Sequence, residues 1–189
     1  MASSGTLYSG TPASNVGLYG AKWQFNWSAA PASEPGVTDI TWTLYSVGKE
    51  SASSNTIATG YCYLTAYNYN GGEVVGNTGS GVAIGSYDGG SEKISYKGVY
   101  RAGGTFQVRH SEEGLGGFTL YMSVNIGGWN SATQCATHNV VLDTNKPFYY
   151  VYIDNGTSFV KAIPYVDNGT EWKAAVAYVD NGTEWKACN

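Results

Sequence analysis

The chain has 189 residues, a formal net charge of -4, 13% charged residues and 14% aromatic residues. The length suits one sandwich-sized domain with a small appendage, and the aromatic, charge-poor composition argues against a disordered chain. An acidic balance without a basic stripe argues against nucleic-acid binding, and the absence of an apolar run of about 18 residues argues against membrane insertion.

Residues 1–20 are rich in Ser, Gly and Thr and predict an N-terminal arm, which is either flexible or an irregular edge of the sandwich. The first ten residues lack the basic region and apolar run of a secretory signal. This pattern predicts synthesis in a cytoplasm.

Residues 21–147 predict an antiparallel β-sandwich of immunoglobulin-like or jelly-roll type, because short alternating strands are separated by glycine-rich breaks. The strands are expected at 22–28, 39–47, 60–67, 92–100, 105–110, 117–126 and 139–142. Breaks are expected at 70–72, 76–81, 89–90, 103–104 and 127–128. Alternation between apolar and polar residues predicts an inner face made of Trp23, Phe25, Trp27, Ile40, Trp42, Leu44, Phe118, Leu120, Met122, Val124 and Ile126.

Residues 148–189 carry three copies of a repeat with a period of 13 residues, beginning at Tyr152, Tyr165 and Tyr178. Each copy has an Asn-Gly pair, the preferred centre of a two-residue type I′ hairpin loop, in which both positions need positive φ. The chain is therefore expected to end in three tandem β-hairpins, with turns at Asn155, Gly156, Asn168, Gly169, Asn181 and Gly182.

A two-residue loop would pair the first aromatic residue of each repeat directly with the last. The pairs would be Tyr152 with Phe159, Tyr165 with Trp172, and Tyr178 with Trp185. Such pairs place aromatic rings on one face of a small hairpin, so these six residues are the candidate binding residues.

Motifs for catalysis, metal binding or cofactor binding are not found in the sequence. His110 and His138 have no catalytic or metal-ligand spacing. The acidic pairs, Glu112 with Glu113 and Asp88 with Glu92, lie in turn-like segments and do not fit the paired carboxylates of a glycosidase. A plain turn is favoured over a Ca²⁺ site at residues 88–90. We expect neither an enzyme nor a bound cofactor or metal.

The three cysteines, Cys62, Cys135 and Cys188, are an odd and scattered set. This spacing fits neither a disulfide framework nor a zinc site. They are expected to be free thiols, with Cys62 and Cys135 packed in strands.

Two features resemble a known group of proteins. The aromatic strand at 22–28, followed by Val-Thr-Asp-Ile-Thr-Trp-Thr-Leu-Tyr at 37–45, resembles β-sandwich modules of tail and minor structural proteins of phages that infect Gram-positive bacteria. Those modules often continue with a His-Asn-x-Asp-Gly turn and a Phe-Thr-Leu strand; here residues 110–120 match in part, with Ser111 and Glu113 departing from the pattern. The Tyr-x-Asp-Asn-Gly-Thr-x-Trp repeats resemble C-terminal repeats on phage proteins from gut-associated hosts.

The resemblance implies a virion structural protein on the tail or the capsid surface, made in the cytoplasm of the bacterial host. Its partners would be other virion proteins, further copies of itself and possible host-surface glycans. A stand-alone carbohydrate-binding module, with Trp172, Trp185 and Tyr165 as platforms for sugar rings, is the alternative. A glycan-active enzyme ranks below both, because no acid/base pair is evident.

Overall fold

The computed structural model describes residues 3–9, 22–48, 57–93, 97–127, 132–145, 151–175, 178–180, 183 and 185–187. These residues form fifteen β-strands and no helix. The expected all-β fold, a sandwich followed by short hairpins, is confirmed.

Nine strands form two antiparallel sheets. They are β1 (Ser4–Tyr8), β2 (Lys22–Pro31), β3 (Val37–Val47), β4 (Ile57–Asn68), β5 (Glu73–Val74), β6 (Val82–Lys93), β7 (Val99–Arg109), β8 (Gly117–Gly127) and β9 (Ala132–Val141). The five-stranded sheet has the order β1-β2-β3-β7-β5, and the four-stranded sheet has the order β6-β4-β8-β9. From β3 to β8, consecutive strands lie alternately in the five-stranded sheet and in the four-stranded sheet.

One hydrophobic core lies between the two sheets. Alternate residues of β2, β3 and β8 point into it, and all of the predicted inner-face residues are buried except Ile126, whose side chain lies outside the described set. Aromatic rings cross from sheet to sheet, with ring centroids 5.7 Å apart for Trp27 and Phe118 and 5.1 Å apart for Phe106 and Phe118. Burying each large apolar side chain stabilises the fold by roughly 1.5–3 kcal/mol.

Two glycine pairs predicted as breaks lie inside strands instead. Residues 89–90 belong to β6, and residues 103–104 belong to β7. For Gly104 the reason is the size of Trp42, because an added Cβ would lie 3.0 Å from the indole ring. Gly85 on β6 also leaves room for the Trp42 ring, from the four-stranded sheet. An added Cβ there would lie 2.5 Å from that ring. Glycine within a strand here marks a close approach and not a turn.

The single strand predicted over 92–100 is also wrong. Lys93 ends β6 and Val99 begins β7 in the other sheet. Gly98 has a φ of 80°, which does not continue a strand. The breaks predicted at 70–72 and 76–81 are connections in the structure, with positive φ at Asn70 and Gly71 in the first.

Part of the predicted N-terminal arm is a strand. Ser4–Tyr8 pairs with β2 and forms one edge of the five-stranded sheet. Gly5 lies over the Trp27 ring, and a Cβ there would lie 2.7 Å from the indole nitrogen. The polar composition of this segment therefore reflects an edge position, with Gly5 and Leu7 as its contacts to the core.

Six short strands form three separate two-stranded sheets after the sandwich. They are β10 (Val151–Asp154) with β11 (Phe159–Ala162), β12 (Tyr165–Asp167) with β13 (Trp172–Ala174), and β14 (Tyr178–Asp180) with β15 (Trp185–Ala187). Each repeat of the sequence thus corresponds to one antiparallel hairpin.

Candidate functional site on the hairpin repeats

The loop of the second hairpin has four residues, not the predicted two. Asp167 pairs directly with Trp172, which leaves residues 168–171 in the loop. The Asn168 amide donates to the Glu171 carbonyl at 3.2 Å and closes it. Gly169 has a φ of 88°, but Asn168 is not at positive φ. A type I′ turn needs positive φ at both positions, so that turn type and the direct pairing of Tyr165 with Trp172 are wrong.

Side-chain hydrogen bonds explain the longer loop. The Asn168 Oδ1 atom accepts from the Thr170 amide at 3.0 Å, the Thr170 hydroxyl at 2.7 Å and the Glu171 amide at 3.0 Å. The Asp167 Oδ1 atom accepts from the Gly169 amide at 2.8 Å. Asn and Asp stabilise turns by bonding to backbone amides two residues ahead. The Asp-Asn-Gly-Thr motif therefore specifies the loop through both acidic and amide side chains.

The first hairpin repeats this arrangement. Asp154 pairs with Phe159, the Asp154 carboxylate accepts from the Gly156 amide at 2.8 Å, and Asn155 Oδ1 accepts from the Ser158 amide at 2.9 Å. In the third hairpin Asp180 pairs with Trp185, which is the same backbone register. Its turn residues, Asn181 and Gly182, lie outside the described residues.

The aromatic residues stay on one face of the second hairpin despite the corrected register. Tyr165 pairs with Ala174, two positions from the predicted partner. Because side chains alternate with a period of two, a shift of two residues preserves the face. Tyr165 and Trp172 are diagonal neighbours on that face, with Asp167 directly opposite Trp172.

These faces are open to solvent in the chain. Phe159 is 72% exposed, Trp172 is 68% exposed and Tyr165 is 50% exposed. Ile153 and Val160 pair on the opposite face of the first hairpin and are exposed too. The first hairpin therefore presents apolar side chains on both faces. The side chains of the other predicted binding residues, Tyr152, Tyr178 and Trp185, lie outside the described set.

His110 belongs to a buried polar network in the sandwich. Its Nδ1 atom lies 2.9 Å from the Gly114 carbonyl oxygen, which only accepts, so Nδ1 carries a proton. In the neutral ring Nε2 accepts from the Thr38 hydroxyl at 2.8 Å, and Thr38 Oγ1 accepts from the Asn145 amide at 3.3 Å. These bonds hold the turn after β7 against the start of β3.

A pocket of about 230 Å³ lies beside this network. It is lined by Ser3, Ala29, Ala30, Pro31, Thr38, Leu142, Asp143, Thr144 and Asn145. Asp143 is the one ionisable residue of this lining.

The acidic residue Asp88 lies in a strand and not in the predicted turn. It sits on β6 with its side chain beside those of β4, and it accepts the Tyr63 hydroxyl at 3.2 Å. The Asp88 charge, followed by desolvation, raises the pKa of Tyr63. Sequence reasoning missed this pair because residues 82–89 were not predicted to be a strand.

The described residues contain no cluster of three or more His, Cys, Asp and Glu side chains that would suit a metal ion. Cys62 is a buried free thiol on β4, as predicted, and burial raises its pKa well above the ordinary value. The side chains of Cys135 and Cys188 lie outside the described set. Among these residues there is also no helix with the length and apolarity to cross a membrane.

No family model matches the sequence, and a search of curated proteins finds no match.

Proposed function

We propose that this chain is a non-catalytic structural protein whose hairpin repeats join it to other protein chains, including further copies of itself. The observation that carries the proposal is the exposure of Phe159, Tyr165 and Trp172 on short two-stranded sheets. Tyrosine and tryptophan are enriched where protein surfaces associate and often dominate the binding energy.

The size of the hairpins supports the need for a partner. A single two-stranded hairpin is marginally stable in water, and each of these has only three or four residues per strand. Apolar residues on both faces, such as Phe159 on one and Ile153 on the other, gain most from burial on both sides. Contact with neighbouring chains supplies that burial.

Repetition supports binding through many weak contacts. The three hairpins share one backbone register, in which Asp154, Asp167 and Asp180 are each paired with an aromatic residue. Linked copies of one weak contact bind far more tightly than a single copy when the geometry lets them engage together. A chain with few charges also approaches its neighbours with little repulsion.

The place of assembly rests on the resemblance to phage structural proteins. That resemblance supports a virion component on the tail or the capsid surface, produced in the bacterial cytoplasm. Host-surface glycan is a second candidate ligand for the repeats, favoured by one observation: Trp172 and Asp167 lie directly opposite each other on an exposed face.

The test replaces Trp172 and Trp185 by Ala in the full chain. We expect the assembly to shrink to a smaller mass by light scattering, with the melting temperature of the sandwich unchanged. Tyr100→Ala is the matched control, because Tyr100 is an exposed aromatic residue of the sandwich.

A chain ending at Lys146 removes the hairpins altogether and should stay folded, since the described core consists of residues from 23 to 142. An unchanged oligomeric mass in both variants, with unchanged incorporation into particles, would contradict the proposed function. Loss of binding to cells with no change in oligomeric mass would favour host-surface glycan as the ligand of the repeats.

A further inference from the structure

On the outer face of the four-stranded sheet, the described side chains are mainly tyrosines, other hydroxyl side chains and one carboxylate. The strand pairing places them side by side in four rows: Tyr61 with Asp88; Tyr63 with Ser86 and Ser123; Thr65 with Ala83, Tyr121 and Thr137; and Tyr67 with Thr119 and Asn139. The aliphatic side chains described on this face are Ala83 and Val141. A face of this kind lacks the apolar centre that protein–protein interfaces usually have.

Two of the tyrosines form a paired platform. Tyr61 and Tyr63 are two residues apart on β4, and their ring centroids are 5.0 Å apart with an angle of 39° between the planes. Tyr63 is 43% exposed. Both rings stand on a central strand that is paired on either side, so the underlying backbone is held in place.

Asp88 stands at the edge of this platform. One of its oxygens accepts the Tyr63 hydroxyl at 3.2 Å, which fixes the direction of that phenol group. An ionised carboxylate has about four acceptor positions in total. The exposed Asp88 therefore keeps capacity for further donors beside the two rings.

The negative charge on this face indicates which classes of ligand it disfavours. Asp88 is the sole charged residue among the outer-face side chains that the structure describes on this sheet. A negative charge with no cation beside it among these described side chains disfavours phosphate, sulfate and carboxylate ligands. Aromatic faces receive apolar C–H surfaces, while the carboxylate and hydroxyl groups accept and donate hydrogen bonds.

We infer that this face binds a neutral glycan. Tyr61 and Tyr63 pack against the C–H face of a sugar ring, and Asp88 accepts hydrogen bonds from its hydroxyl groups. A sugar ring combines an apolar face with a rim of hydroxyl donors, which is the combination that these side chains complement. The site lies on the sandwich and does not depend on the hairpin repeats.

The test titrates the full chain with the neutral hexasaccharides cellohexaose, maltohexaose and hexa-N-acetylchitohexaose, and with a hyaluronan hexasaccharide as the acidic comparison, using calorimetry and NMR. At least one neutral sugar should bind. Tyr63→Ala should weaken that binding about tenfold or more, since a stacked ring and a hydrogen bond are lost together. Tyr63→Phe keeps the ring and should lose less, and Asp88→Asn should also weaken binding.

Tyr100→Ala on the five-stranded sheet is the control and should bind as the parent chain does. In the NMR titration the sugar should shift the ring signals of Tyr61 and Tyr63, which separates this site from the repeats. No neutral sugar bound at millimolar concentration, equal binding of the acidic sugar, or a Tyr63→Ala variant that binds normally would each overturn the inference. A Tyr63→Ala variant that changes oligomeric mass while no sugar binds would instead make this face a protein interface.

Discussion

The sandwich and the hairpins use the same aromatic residue types in opposite environments. Trp42 on β3 is 3% exposed and lies between the two sheets, whereas Trp172 on β13 is 68% exposed. The sandwich is stabilised by the burial of its side chains, and the hairpins by hydrogen bonds within their loops, such as those to Asn168. An aromatic residue at alternating spacing thus predicts a strand, but its burial depends on whether a second sheet covers that strand.

The largest expected difference comes from removing one tryptophan in each region. Trp42→Ala should lower the free energy of unfolding by about 3–5 kcal/mol, because it removes a buried ring and leaves a cavity. Trp172→Ala should change it by less than about 0.5 kcal/mol in dilute, unassembled protein. Urea denaturation followed by circular dichroism measures both. Equal losses of unfolding free energy in the two variants would mean that the hairpins pack as part of the sandwich. The two regions would then not differ in how they are stabilised.

A smaller effect is expected at the glycine that makes room for Trp42. Gly85→Ala places a Cβ 2.5 Å from the indole ring and should cost about 1–3 kcal/mol of unfolding free energy through overpacking. Ala83→Ser, an exposed change on the same strand, is the control and should have little effect. A Gly85→Ala protein as stable as its parent would show that the core around Trp42 is loosely packed.

The inner faces of the sandwich were predictable because alternation is a local signal. The run from Phe118 to Val124 on β8 was assigned to the core from its period of two, and its apolar members are buried. The strand containing Gly85 and Gly89 was not predictable in this way. Gly85 leaves room for the Trp42 ring, and Trp42 comes from a strand distant in sequence. The sequence near a glycine does not distinguish a turn from a close approach across the core.

The candidate site was predicted only in part for a similar reason. The 13-residue period identified the hairpins, and the Asn-Gly pair located each loop. The loop length depended instead on side-chain bonds from Asp167 and Asn168 that the two-residue preference does not include. The Tyr63–Asp88 pair joins two strands 25 residues apart in sequence, so it required the pairing of β4 with β6.

The loop bonds give a third, local prediction. Asn168→Ala removes three hydrogen bonds at once and should destabilise the second hairpin by about 0.5–1.5 kcal/mol, since the loop is exposed to competing water. Amide exchange at Thr170 and Glu171 should become faster, while exchange in β8 stays unchanged. Asn168→Asp keeps an acceptor oxygen and should preserve most of the protection. Unchanged exchange in Asn168→Ala would show that the backbone alone determines the loop.

The smallest expected effect concerns Tyr63. This aromatic residue belongs to the sandwich, as Trp42 does, but it is exposed, as Trp172 is. The nearby Asp88 charge is the main cause of its raised pKa, because a second negative charge beside the carboxylate is disfavoured. A raised folded-state pKa contributes stability that is present below the unfolded pKa of tyrosine, about 10, and is lost as the pH rises through the higher folded value. Asp88→Asn should therefore move the ionisation of Tyr63 to lower pH, measured by NMR on ¹³C-labelled tyrosine. Ser86→Ala, beside Tyr63 on the same strand as Asp88, should leave the titration unchanged. If both variants shift it equally, the cause is a local change in solvation and Asp88 does not act on the tyrosine through its charge.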